Sequence, residues 1–186
     1  LERLAFRAGP ALENARRYAE ARALADLDAL TNVHNRRYFH ETLAREVARA
    51  QRYQRQLSLI VIDLDDFKAV NDRVGHLAGD SVLAEASERM LSVVRSADVA
   101  CRVGGDEFAI VLPESSGEEA ELLAGRIARA ISVRPIGAAG TLFLSAGVAE
   151  LRPGDRPNDL FERADEALYR AKELGKARTV MAENAS

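Results

Sequence analysis

The chain is poor in cysteine, lysine and aromatic side chains, and it contains no long apolar run. A single cysteine, Cys101, excludes an internal disulfide and suits a reducing compartment. No stretch approaches the roughly 20 apolar residues that a membrane-crossing helix needs, and no signal-peptide pattern opens the chain. The expectation is a cytoplasmic fragment with no membrane contact of its own, any anchor of a full-length protein lying before Leu1. Excess positive charge is also missing. The 26 basic and 29 acidic side chains leave a formal charge of −3, which argues against nucleic acid as a partner because no surplus exists to neutralise a phosphate backbone. What is present, 186 residues at 47% hydrophobic and 30% charged but only 5% aromatic, fits one globular domain with an attached segment. Among the 26 basic residues only Lys68, Lys172 and Lys176 are lysine. Arginine-biased codon usage accounts for most of that preference but not for which positions stay lysine.

Residues 1–25 are rich in Ala, Arg, Glu and Leu and read as a helical linker entering from an upstream domain. A domain is expected over 26–182, with 183–186 a short tail. Within it, 35–54 carries Phe39, Leu43, Val47 and Ala50 at helical spacing. The run LSLIVID at 57–63 is apolar and β-branched, as a strand buried on both faces should be. A short helix is expected over 66–73, a glycine-containing loop over 75–79 and a helix over 80–95. Strands at 99–103 and 108–112 flank Gly104-Gly105 as a hairpin. Ser116 and Glu119 form a capping-box pattern at the head of another helix. A strand at 142–149, a helix at 159–174 stopped by Gly175 and a short strand at 179–181 complete the order βααββαβαβ after the first helix. The fold class is an α/β sandwich with helices packed on a mostly antiparallel sheet.

Two acidic sites stand at strand ends or tight turns: Asp63-Leu64-Asp65-Asp66, and Asp106-Glu107 beyond the paired glycines. Crowded carboxylates repel, and a cation such as Mg²⁺, which prefers hard oxygen ligands, offsets the repulsion. Solvated turns would read the same way. Lys68, Asn71, His76 and Asp80 follow closely. Lysine suits phosphate oxygens as a point charge. A carboxylate can accept from guanine N1–H and the exocyclic amine together, and an amide can both donate and accept. Taken singly, Asp80 also fits a helix N-cap, and His76 a loop histidine.

Gly104-Gly105-Asp106-Glu107-Phe108 spells the name motif of the GGDEF family, the diguanylate cyclases. Asp28-Ala29-Leu30-Thr31 and Asn35-Arg36-Arg37 resemble that family's opening signature. Asp63-Leu64-Asp65-Asp66-Phe67-Lys68, Asn71-Asp72, Gly75-His76 and Gly79-Asp80 resemble its second, and Ala164-Asp165, Ala167-Leu168-Tyr169 and Ala171-Lys172 its closing one. The resemblance implies a palm-like nucleotidyl-cyclase fold and condensation of two GTP into cyclic di-GMP with release of two pyrophosphates. It implies two Mg²⁺ per site, with Mn²⁺ as substitute, held by Asp63, the Leu64 carbonyl, Asp106 and Glu107. Asp106 would also accept the proton. Lys68 would stabilise charge on the phosphates, Asn71 and Asp80 would read guanine, His76 would line the pocket, and Lys172 and Lys176 would hold the terminal phosphates. Two ester bonds require a homodimer with the site at its interface. The linker at 11–25 resembles the last helix of GAF-type sensor domains, implying an upstream sensor.

Arg95-Ser96-Ala97-Asp98 resembles the family's RxxD product-inhibition site, completed by Arg126. A strand of about five residues spans roughly 17 Å, so Arg95 belongs at the far end of its strand from the hairpin tip. A local Arg95–Asp98 pair at a helix end is the plainer account. The chain departs from the family pattern in three places: Asn32 stands where Gly is commoner, Val103 where an aromatic is commoner, and Gly175-Lys176-Ala177-Arg178 where G-R-N-R is frequent. A GGDEF module that only senses GTP or cyclic di-GMP is the alternative, but such modules usually lose the acids that this chain keeps at Asp63, Asp106 and Glu107.

Overall fold

The computed structural model describes residues 26–183; the helical linker expected over 1–25 lies outside them. The apolar run becomes strand β1 (Leu57–Leu64), and its position explains its composition. It is the middle of a five-stranded sheet with β2 (Val99–Arg102), β3 (Glu107–Pro113), β4 (Leu144–Glu150) and β5 (Thr179–Met181), in the order β2-β3-β1-β4-β5. Three neighbouring pairs are antiparallel and only β4–β5 is parallel. Among the described residues, helices α1 (Arg36–Tyr53), α2 (Phe67–Val74), α3 (His76–Leu91), α4 (Gly117–Ser132) and α5 (Pro157–Glu173) complete the expected order, with a 3₁₀ turn at Gly137–Ala139.

Both faces of the sheet are covered. Ile60, Ile62 and Leu64 pack with the apolar stripes of α3 and α4, while Leu59 and Val61 pack with those of α1 and α5. Local side chains start the helices, as expected at Ser116 and Glu119 and also at two ends that the sequence reading did not assign. The Asn35 side chain accepts from the Tyr38 N–H at 3.1 Å, and Ser116 and Glu119 close their reciprocal cap. Asp159 accepts from the Arg156 N–H at 2.7 Å, beside Pro157 at the first helical position of α5.

Two element boundaries differ in ways that matter. The segment 75–79, expected as a loop, is the first turn of α3. Only Gly75, at φ 84°, interrupts the path from α2, so His76 and Asp80 stand one turn apart on a helix and Asp80 is not its N-cap. That helix stops at Leu91, not 95: the Ser92 hydroxyl donates to the Arg89 carbonyl at 2.6 Å, and Val93 N–H bonds the Met90 carbonyl at 3.1 Å, tightening the last turn. At the other end of the chain, Ala182 N–H bonds the Val148 carbonyl at 2.7 Å and Glu183 pairs with Arg170 at 3.0 Å, so Glu183 is tied to the domain. Cys101 is fully buried in β2, and burial pushes its thiol up to about 12. Among the described residues, no helix is long and apolar enough to cross a membrane.

Helix α5 reaches the sheet through one small residue. A Cβ on Gly147 would lie 2.0 Å from the Ala164 carbonyl oxygen and 2.2 Å from the Leu168 nitrogen, both rigid backbone. Gly147→Ala must therefore push α5 off β4. The expected cost is about 1–3 kcal/mol or more in urea unfolding; an unchanged midpoint would show that the helix does not depend on this approach.

Candidate active site

The antiparallel register brings the two acidic sequences together. Asp63, the penultimate residue of β1, stands opposite Glu107 at the start of β3, and the Leu64 N–H bonds the Asp106 carbonyl at 3.2 Å. The Asp63 side chain is only 13% exposed. Burial raises its carboxyl above the ordinary value, the charges of Asp106 and Glu107 add to the rise, and Lys172 opposes it. Lys172, in the last turn of α5, places Nζ 2.7 Å from Asp63 Oδ2. The paired glycines lie in the turn of the expected hairpin between β2 and β3. Neither has positive φ. Instead, a Cβ on Gly104 would lie 2.3 Å from Glu107 Oε2, so glycine here gives the Glu107 carboxylate room to fold over the turn.

Asp65 ties the strand end to the closing loop. It accepts from the Ser145 hydroxyl at 2.7 Å and from the Ala177 N–H at 2.9 Å. Next to it, Asp66 meets Lys176 at 2.6 Å. On the other flank, Lys68 is exposed in the first turn of α2, and Asn71, in the last turn, is half-buried against α3. A Cβ on Gly79 would fall 1.7 Å from Asn71 Oδ1. That oxygen is buried against α3 without a hydrogen-bond partner among the described residues. His76 and Asp80 are exposed on the adjoining turn of α3. A cavity of about 610 Å³ bounded by Gln51, Arg55 and Arg152 lies at the opposite end of β1 and includes none of these residues.

The family model described as "Diguanylate cyclase, GGDEF domain" matches residues 25–178. The chain belongs to the GGDEF-domain diguanylate cyclase family. It is 42% identical over 165 residues to diguanylate cyclase DgcS of Shewanella oneidensis, covering 89% of this chain and 55% of that protein. It is 40% identical over 159 residues to the response regulator PleD of Caulobacter vibrioides, covering 82% of this chain and 35% of that one. It thus spans about half or less of the length of these curated relatives. Its fold is similar to that of the GGDEF domain of DgcB from Caulobacter crescentus, solved with c-di-GMP, at TM-score 0.83 and 34% identity over 86% of this chain and 97% of that one.

Asp28 and Thr31 of the opening signature act as braces together with Arg102, a role that their residue types alone do not reveal. Arg102 donates to the Gly105 carbonyl at 2.7 and 3.1 Å and to Asp28 at 3.1 Å. Asp28 also accepts from the Thr31 N–H at 3.0 Å and hydroxyl at 2.7 Å. Burial alone would raise the Asp28 carboxyl, but the bonds from Thr31 and Arg102 outweigh it and hold the group below its ordinary value. The opening signature thereby holds the hairpin tip that carries Asp106. An acid three residues before a threonine is the signal that marks such a turn. Of the departures from the family pattern, Asn32 takes left-handed backbone at φ 58°, as its substitution for glycine implies. Lys176 and Ala177 are also left-handed, at φ 62° and 51°, where asparagine is the better tolerated residue.

The RxxD group gathers away from the hairpin tip. Asp98 accepts from the Arg95 N–H at 3.2 Å. Burial raises its carboxyl, against the charges of Arg95 and Arg126. Arg126, on α4, donates to the Val93 carbonyl. Since α3 ends at Leu91, Arg95 is exposed in the following turn and not at a helix end.

The contact between Asn71 and Gly79 is directly testable. Gly79→Ala adds a good helix former to α3 yet displaces the Asn71 amide. The expected result is an unchanged or raised melting temperature with roughly tenfold weaker guanine-nucleotide binding. Unaltered affinity would count against the expectation that Asn71 reads guanine.

Proposed function

We propose that the domain condenses two GTP into cyclic di-GMP and two pyrophosphates as a homodimer, with feedback from product at Arg95, Asp98 and Arg126. The observation that carries this reading is the register of Asp63 against Glu107 with Lys172 beside them. Oxygen donors of opposite strands meet at a site whose carboxylate is raised by its burial and, to a lesser degree, by its acidic neighbours. That donor set fits a hard divalent cation. Among the described residues, no group of three His, Cys, Asp or Glu could hold a metal alone. Mg²⁺ normally completes its shell with phosphate oxygens and water, so Asp63, the Leu64 carbonyl, Asp106 and Glu107 would hold it together with the nucleotide. When bound, Mg²⁺ neutralises the triphosphate and stabilises the attacking and leaving oxygens.

The chain's own residues do the rest. Asn71 and Asp80 orient guanine on α2 and α3, with His76 at the pocket edge. Lys68, Lys172 and Lys176 hold the phosphates. In each half-reaction the 3′-oxygen of one GTP forms a bond to the α-phosphorus of the other. The α–β phosphoanhydride bond breaks, pyrophosphate leaves, and the hydroxyl proton passes to the Asp106 carboxylate. Both nucleotides are symmetrically attacker and target, so each domain of the dimer contributes one. An upstream sensor acting through residues 1–25 would control how the two domains meet. Arginine's planar fork suits guanine N7 and O6, which supports Arg95 and Arg126 as readers of the product.

Incubation with GTP and Mg²⁺ should yield cyclic di-GMP and pyrophosphate, with specific activity rising with protein concentration; no product at high protein concentration would overturn the reading. Asp106→Asn should lower turnover at least about a hundredfold while circular dichroism stays unchanged, and full turnover would exclude Asp106 as proton acceptor. Arg95→Ala should relieve inhibition by added cyclic di-GMP. Inhibition as strong as in the unaltered protein would remove Arg95 from the regulatory site.

A further inference from the structure

Both lysines assigned to the terminal phosphates are already engaged in the folded domain. The two engagements are not equivalent. Lys172 is held by Asp63, an acid that the metal would claim, so loading the site separates that pair by giving each member a better partner. Lys176 is held by Asp66, which has no place in the metal-ligand set above and remains an anion after the metal is bound.

The geometry of the second pair is built from both sides. Asp66, at φ 57°, follows Asp65, whose carboxylate is bonded by the Ser145 hydroxyl and the Ala177 N–H. Lys176 and Ala177 lie in left-handed backbone across the contact. Three non-glycine residues in this sparsely allowed region therefore meet at one ion pair, Lys176 Nζ to Asp66 Oδ1 at 2.6 Å. The hydrogen bond to Asp66 raises the Lys176 ammonium above its ordinary value. A terminal phosphate that approaches Lys176 meets an ammonium already shared with Asp66, and so competes with that carboxylate for it.

We propose that Asp66 is a specificity-determining residue that competes with the terminal phosphates for Lys176 and so sets triphosphate affinity. This rests on the reading that Lys176 holds those phosphates. The pair is solvent-exposed, 43% for Lys176 and 67% for Asp66, which keeps the effect modest. A nucleoside monophosphate, which carries no terminal phosphate to that position, escapes the competition.

The test uses 3′-deoxy-GTP, which lacks the attacking hydroxyl and cannot turn over, and GMP, each titrated calorimetrically with Mg²⁺. The proteins are the unaltered chain, Asp66→Asn, Lys176→Ala and the double variant. Asparagine accepts left-handed backbone; should it disturb the turn, as judged by melting temperature, Asp66→Gly repeats the experiment. Asp66→Asn is expected to bind 3′-deoxy-GTP roughly twofold to fivefold more tightly, with GMP unchanged and with no gain in the Lys176→Ala background. An unchanged triphosphate affinity, an equal gain for GMP, or a gain that survives loss of Lys176 would each overturn the competition. Lys176→Ala binding 3′-deoxy-GTP like the unaltered protein would instead overturn the phosphate role of Lys176 itself, and the inference with it.

Discussion

The antiparallel pairing of β1 with β3 is the constraint on which the rest of the structure depends. It aligns Asp63 with Glu107 and joins Leu64 to Asp106 through the backbone. β1 also pairs with β4 and is packed on both faces, so it has little freedom to slide. A slip of one residue would exchange the side chains fitted to the two cores and take Asp63 out of line with Glu107. The core thereby guards the register of the acids, and packing energy far from the chemistry holds carboxylates that repel one another.

Around that strand end the sequence distributes anions and cations in pairs. Lys172 and Lys176, contributed by the end of α5 and the loop after it, reach Asp63 and Asp66, while Asp65 is used by hydroxyl and backbone donors. A chain that is acidic overall can thus concentrate positive charge at one strand end, because the cations are few and placed. Arg102 plays the corresponding part for the hairpin. Its guanidinium spans from the opening turn at Asp28 to the carbonyl of Gly105. The residues that enter the domain and the residues that carry Asp106 are therefore mechanically linked.

Much of this was legible in the sequence, for identifiable reasons. β1 announces itself because a strand covered on both faces is almost continuously apolar, and two helices announce themselves through Ser116 and Gly175, whose side chain or conformational freedom acts locally. The acidic pairs, the lysines and the Asn71–Asp80 group were found as residue types, and the fold brings them to one end of the sheet. What was not legible depends on contacts distant in sequence. The first turn of α3 looked like a loop because Gly75 and Gly79 resemble turn residues, yet Gly79 is small to admit the Asn71 side chain. Gly104 similarly makes room for Glu107 instead of supplying unusual backbone angles. The bracing roles of Asp28, Asp65 and Arg102 need partners up to 112 residues away, which no local pattern reveals.

The burial of Cys101 has a practical consequence of another kind. With the only thiol of the chain enclosed in the sheet and held as the unreactive protonated form up to about 12, the native protein offers maleimide and iodoacetamide reagents no useful target. A cysteine introduced at an exposed position would be the sole site of labelling. Fluorophore or spin-label pairs contributed by two copies of the chain could then report the distance between domains without first removing a native residue from the core.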